Sequence, residues 1–506
     1  MYRASLEGAS FAAVVDATRL CPIFSVNRSG FTIHRRGCCP YGTNITLYYC
    51  TTCTKITYDS CTRWAMRRSL LQTLTEWRSD KRRLPLLLRG ARQVGKTYLV
   101  NDFAKQHFKN TVVINFEKRP EYAKCFTTLE PRDIIQKISA YVGEAILPGE
   151  TLLFLDEIQV CPHAIQALRY FKEDMPLLHV IGAGSLLEFA LSAGDFKMPV
   201  GRVQYLYLKP LSFIEYLNAS GKETWIAEIK KATITHPVPE ILHDALLKEI
   251  KIYMALGGMP AVVDQYINDG AGEAFQRTQM GILETYADDF AKYASMAKQV
   301  HIQTVFDQLP SLIGQQTKYN KINPDVHSRF LKEAIHCLQL AGVVYRIYAT
   351  AASGLPLNSL LNFHKYKLFF LDVGLISAKS GLSAEILTKK DIFMVNRGEI
   401  AEQFVCQELL AYQSCFQNAE LQYWSREQKN SQAEVDFVIQ SNTKIIPIEV
   451  KAGSTGKLKS LQIMMQEKKI PVGVRVSQLP LQLDDSRNII SIPFYMVSEM
   501  TRLVNT

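Results

Sequence analysis

The stretch Gly90-Ala91-Arg92-Gln93-Val94-Gly95-Lys96-Thr97 meets every fixed position of the phosphate-loop pattern G-x-x-x-x-G-K-[ST]. Glycines at both ends let such a backbone curl until its N–H groups point at phosphate oxygens. A lysine at the position of Lys96 reaches the outer phosphates, and a hydroxyl at the position of Thr97 ligates Mg²⁺. Further along, Leu152-Leu153-Phe154-Leu155 ends in Asp156-Glu157. An apolar strand closed by two acids complements a phosphate loop. Asp156 is placed to hold Mg²⁺ and Glu157 to polarise an attacking water as general base, with Gln159 near enough to help orient that water. Ser185, in Gly182-Ala183-Gly184-Ser185, reads either as a γ-phosphate sensor or as a helix N-cap for Leu186-Leu187-Glu188. Arg202 reads either as a charge-neutralising arginine, in its own site or a neighbour's, or as half of a surface ion pair. Arg92, inside the loop, is open to nucleotide or to a neighbouring domain.

A second set lies near the carboxyl end. Glu402 belongs to the helical stretch Gly398–Val405, and Asp436 opens the strand Val435-Asp436-Phe437-Val438-Ile439. Glu449 and Lys451 are two apart in Ile448-Glu449-Val450-Lys451, so on a strand they share a face. A hairpin through Ser441-Asn442-Thr443 would set Asp436 beside them. Two carboxylates and a lysine in that arrangement could hold Mg²⁺ and activate water against a phosphodiester. Asp436, Glu449 and Glu402 are the expected metal ligands there, and Asp436, Glu449 and Lys451 the expected catalytic set.

These groups need positioning elements. Leu84-Pro85-Leu86-Leu87-Leu88 reads as a buried strand ahead of the loop, and Tyr98, Leu99, Val100 and Phe103 as a helix after it. Strands follow at Thr111–Phe116, Thr151–Leu155, Leu177–Gly182 and Val203–Leu208, with a helix marked by Ile134, Ile135, Ile138, Tyr141 and Val142. The continuous apolar runs fit central parallel strands, while the alternating Val203–Leu208 fits a strand nearer an edge. The βα order predicts a parallel sheet covered by helices on both faces. After Pro210 helices dominate, with a turn at Gly257-Gly258-Met259-Pro260. Three short helices between His301 and Ala349, followed by the strand Gly342–Tyr348, suggest a winged-helix layout. A last α/β region runs from His364.

The runs GARQVGKT, LLFLDEIQ, GAGSLLE and GRVQYLYLKPLSFIEYL, followed by YMALGGMPAVV and ILETYADDFAKY, resemble the prokaryotic AAA-type ATPases that carry a C-terminal domain of unknown function. The resemblance spans about residues 66 to 460. It implies an α/β protein with a P-loop NTPase parallel-sheet core, a helical and winged-helix middle, and a restriction-endonuclease-like C-terminal domain. Asp436, Glu449 and Lys451 match the PD-(D/E)XK nuclease motif, and Glu402 matches the acid on that fold's first helix. The expected divisions are 1–65, an extension; 66–235, an AAA-type ATPase domain; 236–355, the helical and winged-helix region; and 356–506, the nuclease-like domain. ATP and Mg²⁺ are the implied ligands. DNA, a further copy of the chain and another protein are the candidate partners. The activity expected is ATP hydrolysis coupled to nucleic-acid binding or cleavage; the alternative is an ATP-gated protein-interaction switch that cuts nothing.

Composition bounds the rest. The chain has 506 residues, 47% hydrophobic and 21% charged, with a net charge of +10. Length alone suggests about three domains. The amino terminus lacks a signal-peptide layout and no run is long and apolar enough to span a bilayer, so a cytoplasmic location is expected. The positive excess is spread over a long chain and permits nucleic-acid binding without indicating where. Of 11 cysteines, Cys21, Cys38, Cys39, Cys50, Cys53 and Cys61 crowd the first 65 residues. Cys50-x-x-Cys53 admits a structural zinc, but the adjacent Cys38-Cys39 is a poor second pair. Residues 1–65 read better as a disordered extension or as a segment foreign to the natural protein. Lys365-Tyr366-Lys367 and Lys457-Leu458-Lys459 are short basic clusters that suit either nucleic acid or a solvated face.

Overall fold

Leucines at 86, 87 and 88 alternate between two apolar environments, because successive strand side chains point to opposite faces. Leu86 and Leu88 join one buried cluster and Leu87 the other. In the computed structural model this segment is β1 (Leu86–Arg89). The structure describes residues 47–48, 57–58, 66–192, 201–293, 295–388, 398–426, 433–453 and 456–505.

β1 is joined by β2 (Asn110–Asn115), β3 (Thr151–Asp156), β4 (His179–Ala183) and β5 (Gln204–Tyr207) in a five-stranded sheet of order β2-β3-β4-β1-β5. All pairings are parallel. β3 is buried at all six positions, as its uninterrupted apolar run requires, and half-exposed β5 is an edge strand. This is a P-loop NTPase core. Its order sets the carboxyl ends of β1 and β3 on either side of β4: Leu88 and Asp156 both lie opposite Ala183. The helices before and after β2 bury their apolar faces, except that Tyr98 and Tyr141 are exposed.

The middle region follows the expected order. Helices Met296–Leu312, Tyr319–Ile322 and Ser328–Leu340 precede a hairpin of β6 (Val344–Thr350) and β7 (Leu361–Phe370). That hairpin also edges a second sheet, with β8 (Gln422–Ser425), β9 (Glu434–Ser441), β10 (Lys444–Val450), β11 (Gly473–Ser477), β12 (Gln482–Asp484) and β13 (Ile489–Pro493). The order is β12-β13-β11-β10-β9-β8-β6-β7, mixed in direction. The division expected at 355/356 therefore falls in the hairpin loop, between strands that share a sheet. Its cause is the parallel pairing of β8 with β6, Gln422 opposite Tyr348, a contact between distant segments that local pattern does not carry.

The turn Gly257-Gly258-Met259-Pro260 locks the two regions together. The Gly258 amide donates to Asp372 Oδ2 at 2.6 Å, and the Gly258 carbonyl accepts from the Leu211 amide at 2.7 Å. Burial raises the Asp372 carboxyl to about 6, although the Gly258 and Leu375 amides favour its charged form. A Cβ on Gly258 would overlap the Leu211 carbonyl, which is backbone and cannot swing aside. Gly258→Ala should therefore lower stability by about 3 kcal/mol, the upper range for overpacking a close-packed site, read as a shift in denaturant midpoint at constant slope.

Residues Met1–Ala65 and Met66–Thr506 are separate units. In the first, Leu47–Tyr48 pairs antiparallel with Thr57–Tyr58. The cysteines considered for zinc lie outside the described residues. Among the described residues no helix is long and apolar enough to cross a membrane.

Candidate functional site

The phosphate loop connects β1 to the helix Lys96–His107. Gly95, at φ 93°, adopts the left-handed backbone that turns the chain into the helix, a conformation glycine enters without a steric cost. The helix thus begins on Lys96, with its free amides and positive dipole end at the loop. Lys96 is buried and its Nζ donates to the carbonyls of Gly90 at 2.9 Å and Ala91 at 2.8 Å. Burial pushes its ammonium down to about 8, against the pull of Glu157 and Asp156.

At the end of β3 the Thr97 hydroxyl donates to Asp156 Oδ2 at 3.1 Å, and Asn115 Nδ2 donates to the same oxygen at 3.1 Å. Burial, followed by the charge of Glu157, raises the Asp156 carboxyl above its usual range. A hydroxyl and a carboxylate joined this way form the hard oxygen donor pair that suits Mg²⁺. Glu157 sits at φ 50°, a left-handed conformation disfavoured for a side chain and typical of strained functional positions. Its Oε2 accepts from Gln159 Nε2 at 2.6 Å and from Ser185 Oγ at 3.4 Å. Lys96, Thr97, Asp156, Glu157 and Ser185 thus meet at one edge of the sheet.

Arg202 does not join them. It pairs with Glu173 at 3.0 Å, half-exposed. Glu173 ends the helix that leads into β4, and Arg202 immediately precedes β5, so both lie at the amino-terminal edge of the sheet. The loop and Asp156 are at the opposite edge. The ion-pair alternative is the arrangement found, because β5 runs parallel to β1 and its first residues are far from β1's last.

Arg92 turns to the helical region. Its Nη1 donates to Asp289 Oδ1 at 2.5 Å and Oδ2 at 2.7 Å, and its carbonyl accepts from the Tyr286 hydroxyl at 2.8 Å. Both partners lie on the helix Glu273–Tyr293. Three further contacts hold the loop. Arg68 Nη1 donates to the Val94 carbonyl at 2.9 Å while its Nε pairs with Glu215 at 3.2 Å. Pro260 packs on Gly95, and Gly342 packs on Ala91. Sequence reading missed Arg68, Asp289 and Gly342. Arg68 precedes the helix Leu70–Ser79 in a stretch that carries no motif, and Asp289 lies in one of the quoted runs without an assigned role.

In the second sheet the hairpin turns at Asn442-Thr443, with Asn442 at φ 53°. The register that pairs Phe437 with Ile448 brings Asp436 to the segment that carries Glu449 and Val450. Asp436 Oδ2 accepts from the Val450 amide at 2.8 Å, and Lys451 Nζ reaches Glu449 Oε1 at 2.6 Å. Burial, then the Asp436 charge, raises the Glu449 carboxyl. Among the described residues Glu449 Oε2 is buried with no hydrogen-bond partner. A buried carboxylate oxygen in that state calls for a compensating cation or donor.

Glu402 meets this set through Asp436 and through a shared lysine. Lys367, expected in a surface basic cluster, is buried among Glu434 at 2.7 Å, Glu402 at 3.5 Å and Asp436 at 3.8 Å. Burial opposes its charge, but Glu402, Asp436 and Glu434 together outweigh burial and raise its pKa. Burial raises the Glu402 carboxyl as well. Among the described residues no group of three or more His, Cys, Asp or Glu side chains is disposed to hold a metal; beside Glu402 the positive charge is that of Lys367.

Comparison with known proteins places these residues in matched regions. A family model described as an AAA domain matches residues 82–217. Two models described as domains of unknown function match residues 247–386 and 397–495. No curated protein matches the chain. Among solved structures the chain is similar to a Walker-type ATPase of Pyrococcus abyssi, at 15% identity, covering 62% of this chain and 95% of that one with a TM-score of 0.40. It is also similar to the ORC1 protein of Aeropyrum pernix in complex with DNA, at 13% identity, 64% and 94% coverage and a TM-score of 0.27. A third is the RuvB Holliday junction branch migration motor of Thermotoga maritima, at 18% identity, 55% and 86% coverage and a TM-score of 0.24. The phosphate loop and the strand-end acids thus lie inside the span matched by the AAA domain model, on a P-loop NTPase sheet.

Proposed function

We propose that this protein is an ATP-hydrolysing switch whose nucleotide state is relayed to a nucleic-acid-associated C-terminal region. The observation that carries the reading is the meeting of Lys96, Thr97, Asp156, Glu157 and Ser185 at one sheet edge, with hydrogen bonds from Thr97 to Asp156 and from Ser185 to Glu157. The loop amides and the helix N-terminus receive the phosphates. Lys96 exchanges the carbonyls of Gly90 and Ala91 for phosphate oxygens. Thr97 and Asp156 hold Mg²⁺, whose role is to neutralise phosphate charge. Glu157, fixed by Gln159 and Ser185, takes the proton of the attacking water.

The relay follows from what grips the loop. Nucleotide must move Lys96 off two carbonyls, and the same loop is tied to Asp289, Tyr286, Pro260 and Gly342. Any loop movement is felt by the helix Glu273–Tyr293 and by the start of the β6–β7 hairpin. In the C-terminal region, Asp436 and Glu449 are the pair that would hold a divalent cation for phosphodiester cleavage, beside Lys451. The rival reading, a nucleotide-gated switch that cuts nothing, draws support from Lys367, which already balances Glu402, Glu434 and Asp436.

Phosphate release by the purified chain, with and without DNA, tests the proposal. Turnover accelerated by DNA is the expected result, and absence of turnover removes the ATPase reading. The same mixtures, supplied with Mg²⁺ or Mn²⁺ and resolved on a gel, separate the two C-terminal readings. DNA cut by the wild type and spared by Asp436→Ala supports cleavage, and intact DNA throughout supports the rival.

A further inference from the structure

A cleft of about 250 Å³ opens beside the phosphate loop, with Ala91, Ser185 and Lys209 on one wall and Arg346, Tyr348 and Phe363 on the other. The second wall is one face of the β6–β7 hairpin. Tyr348 pairs with Tyr366, and the register then shifts, so that Ala349 faces Asn362. Such an irregularity re-aims a side chain. Here it brings Phe363 beside Tyr348, ring centroids 5.3 Å apart, while Tyr348 and Tyr366 lie 5.7 Å apart and the Arg346 guanidinium sits 5.5 Å above Tyr366. The result is a run of three rings in edge-to-face contact, ending in a cation at Tyr366. Its outer ring, Phe363, is 67% exposed.

Of the cleft's cations, Arg89 pairs with Glu188 at 2.9 Å, whereas Lys209 and Arg346 are held by rings and neutral oxygens. Lys209 Nζ bonds the Tyr345 hydroxyl at 3.2 Å and lies 4.7 Å from that ring's centroid. Arg346 Nη2 donates to the Lys332 carbonyl at 3.3 Å, and its Nε is buried with no hydrogen-bond partner. Cations held only by neutral groups, beside the exposed Phe363 ring, fit a ligand that alternates anionic groups with planar rings. Base stacking on aromatic side chains together with phosphate capture is how single strands are bound without sequence preference, and a duplex keeps its bases stacked away from such a platform.

We propose that this cleft binds single-stranded nucleic acid, with a base on Phe363 and Tyr348 and the backbone phosphates on Arg346 and Lys209. The proposal rests on the nucleic-acid half of the function given above and assigns it a place. It also explains how strand and nucleotide sense each other. Ser185 lines the cleft and reaches Glu157, and Gly342, two residues before β6, packs on Ala91 of the phosphate loop.

Fluorescence anisotropy with the full chain tests it, using a labelled oligothymidylate of about 20 nucleotides, long enough to cover one binding groove, and the matching duplex. The single strand should bind more tightly than the duplex. Phe363→Ala, a change at an exposed ring, should weaken single-strand binding about tenfold, in line with one lost stacking contact. Arg346→Gln should weaken it and make the log–log salt dependence shallower by about 0.7. ATP affinity, measured on the same proteins without nucleic acid, should be unchanged and so reports that both variants fold. Absence of single-strand binding, preference for the duplex, or binding indifferent to both substitutions overturns the proposal. Failure of the ATPase reading shows separately, as missing phosphate release from the wild type, because anisotropy is measured without turnover.

Discussion

Lys96→Ala should reduce ATP affinity at least a hundredfold, measured by titration calorimetry. In the function proposed above the lysine crosses from loop carbonyls to phosphate, and charge-assisted hydrogen bonds contribute about 1.5 to 3 kcal/mol each, so losing two of them exceeds a factor of a hundred. Retained affinity would remove the loop from the nucleotide site. The same side chain gives the wild type a pH signature. Burial places its ammonium at about 8 in the nucleotide-free protein, whereas nearby phosphate favours the charged form. Binding above pH 8 therefore takes up a proton, and affinity should fall as pH rises past about 8. Lys96→Ala should show no such slope. Stability runs the other way. Between about 8 and the ordinary lysine value of 10.5 the unfolded chain holds a proton at this lysine that the folded chain has released, so the stability contributed by this group rises with pH through that window. Opposite slopes for affinity and stability from one residue are hard to mimic by a general loss of structure.

What could be located from residues alone followed from how local each signal is. The phosphate loop, its flanking strand and helix, and the acids closing β3 are short-range patterns, and parallel pairing brings Thr97 to Asp156. Arg202 shows the limit. Its place in sequence, shortly before an expected strand, is equally compatible with either edge of a sheet, and strand direction puts it at the far one. Lys367 shows another. In Lys365-Tyr366-Lys367 it looks like a surface cation, but the helix carrying Glu402 and the strand carrying Glu434 and Asp436 close over it. Those acids lie far along the chain, and no local period encodes their approach. The same holds for the sheet that joins β6 to β8 and for Arg68, whose role is visible only once Val94 and Glu215 are beside it.

Glu157→Gln should bind ATP as well as the wild type and yet lower turnover by about 10² to 10⁴, the usual contribution of a positioned general base. The amide keeps the size of the carboxylate and can still meet Gln159 and Ser185, but it cannot accept the proton of water. The unusual backbone at φ 50° strengthens the inference, because a disfavoured conformation persists only where surrounding contacts hold it. That variant also distinguishes binding from hydrolysis as the signal. If bound ATP alone sets the position of the Arg92–Asp289 contact, Glu157→Gln should trap the ATP-bound arrangement, seen as a sustained change in hydrogen exchange along the helix Glu273–Tyr293. If phosphate release instead drives the change, that helix should exchange as in the nucleotide-free protein. Normal phosphate release from the variant would take Glu157 out of the mechanism altogether. In that event Asp156 is the remaining acid at the end of β3, already committed to Thr97 and Asn115 and poorly placed to serve as base.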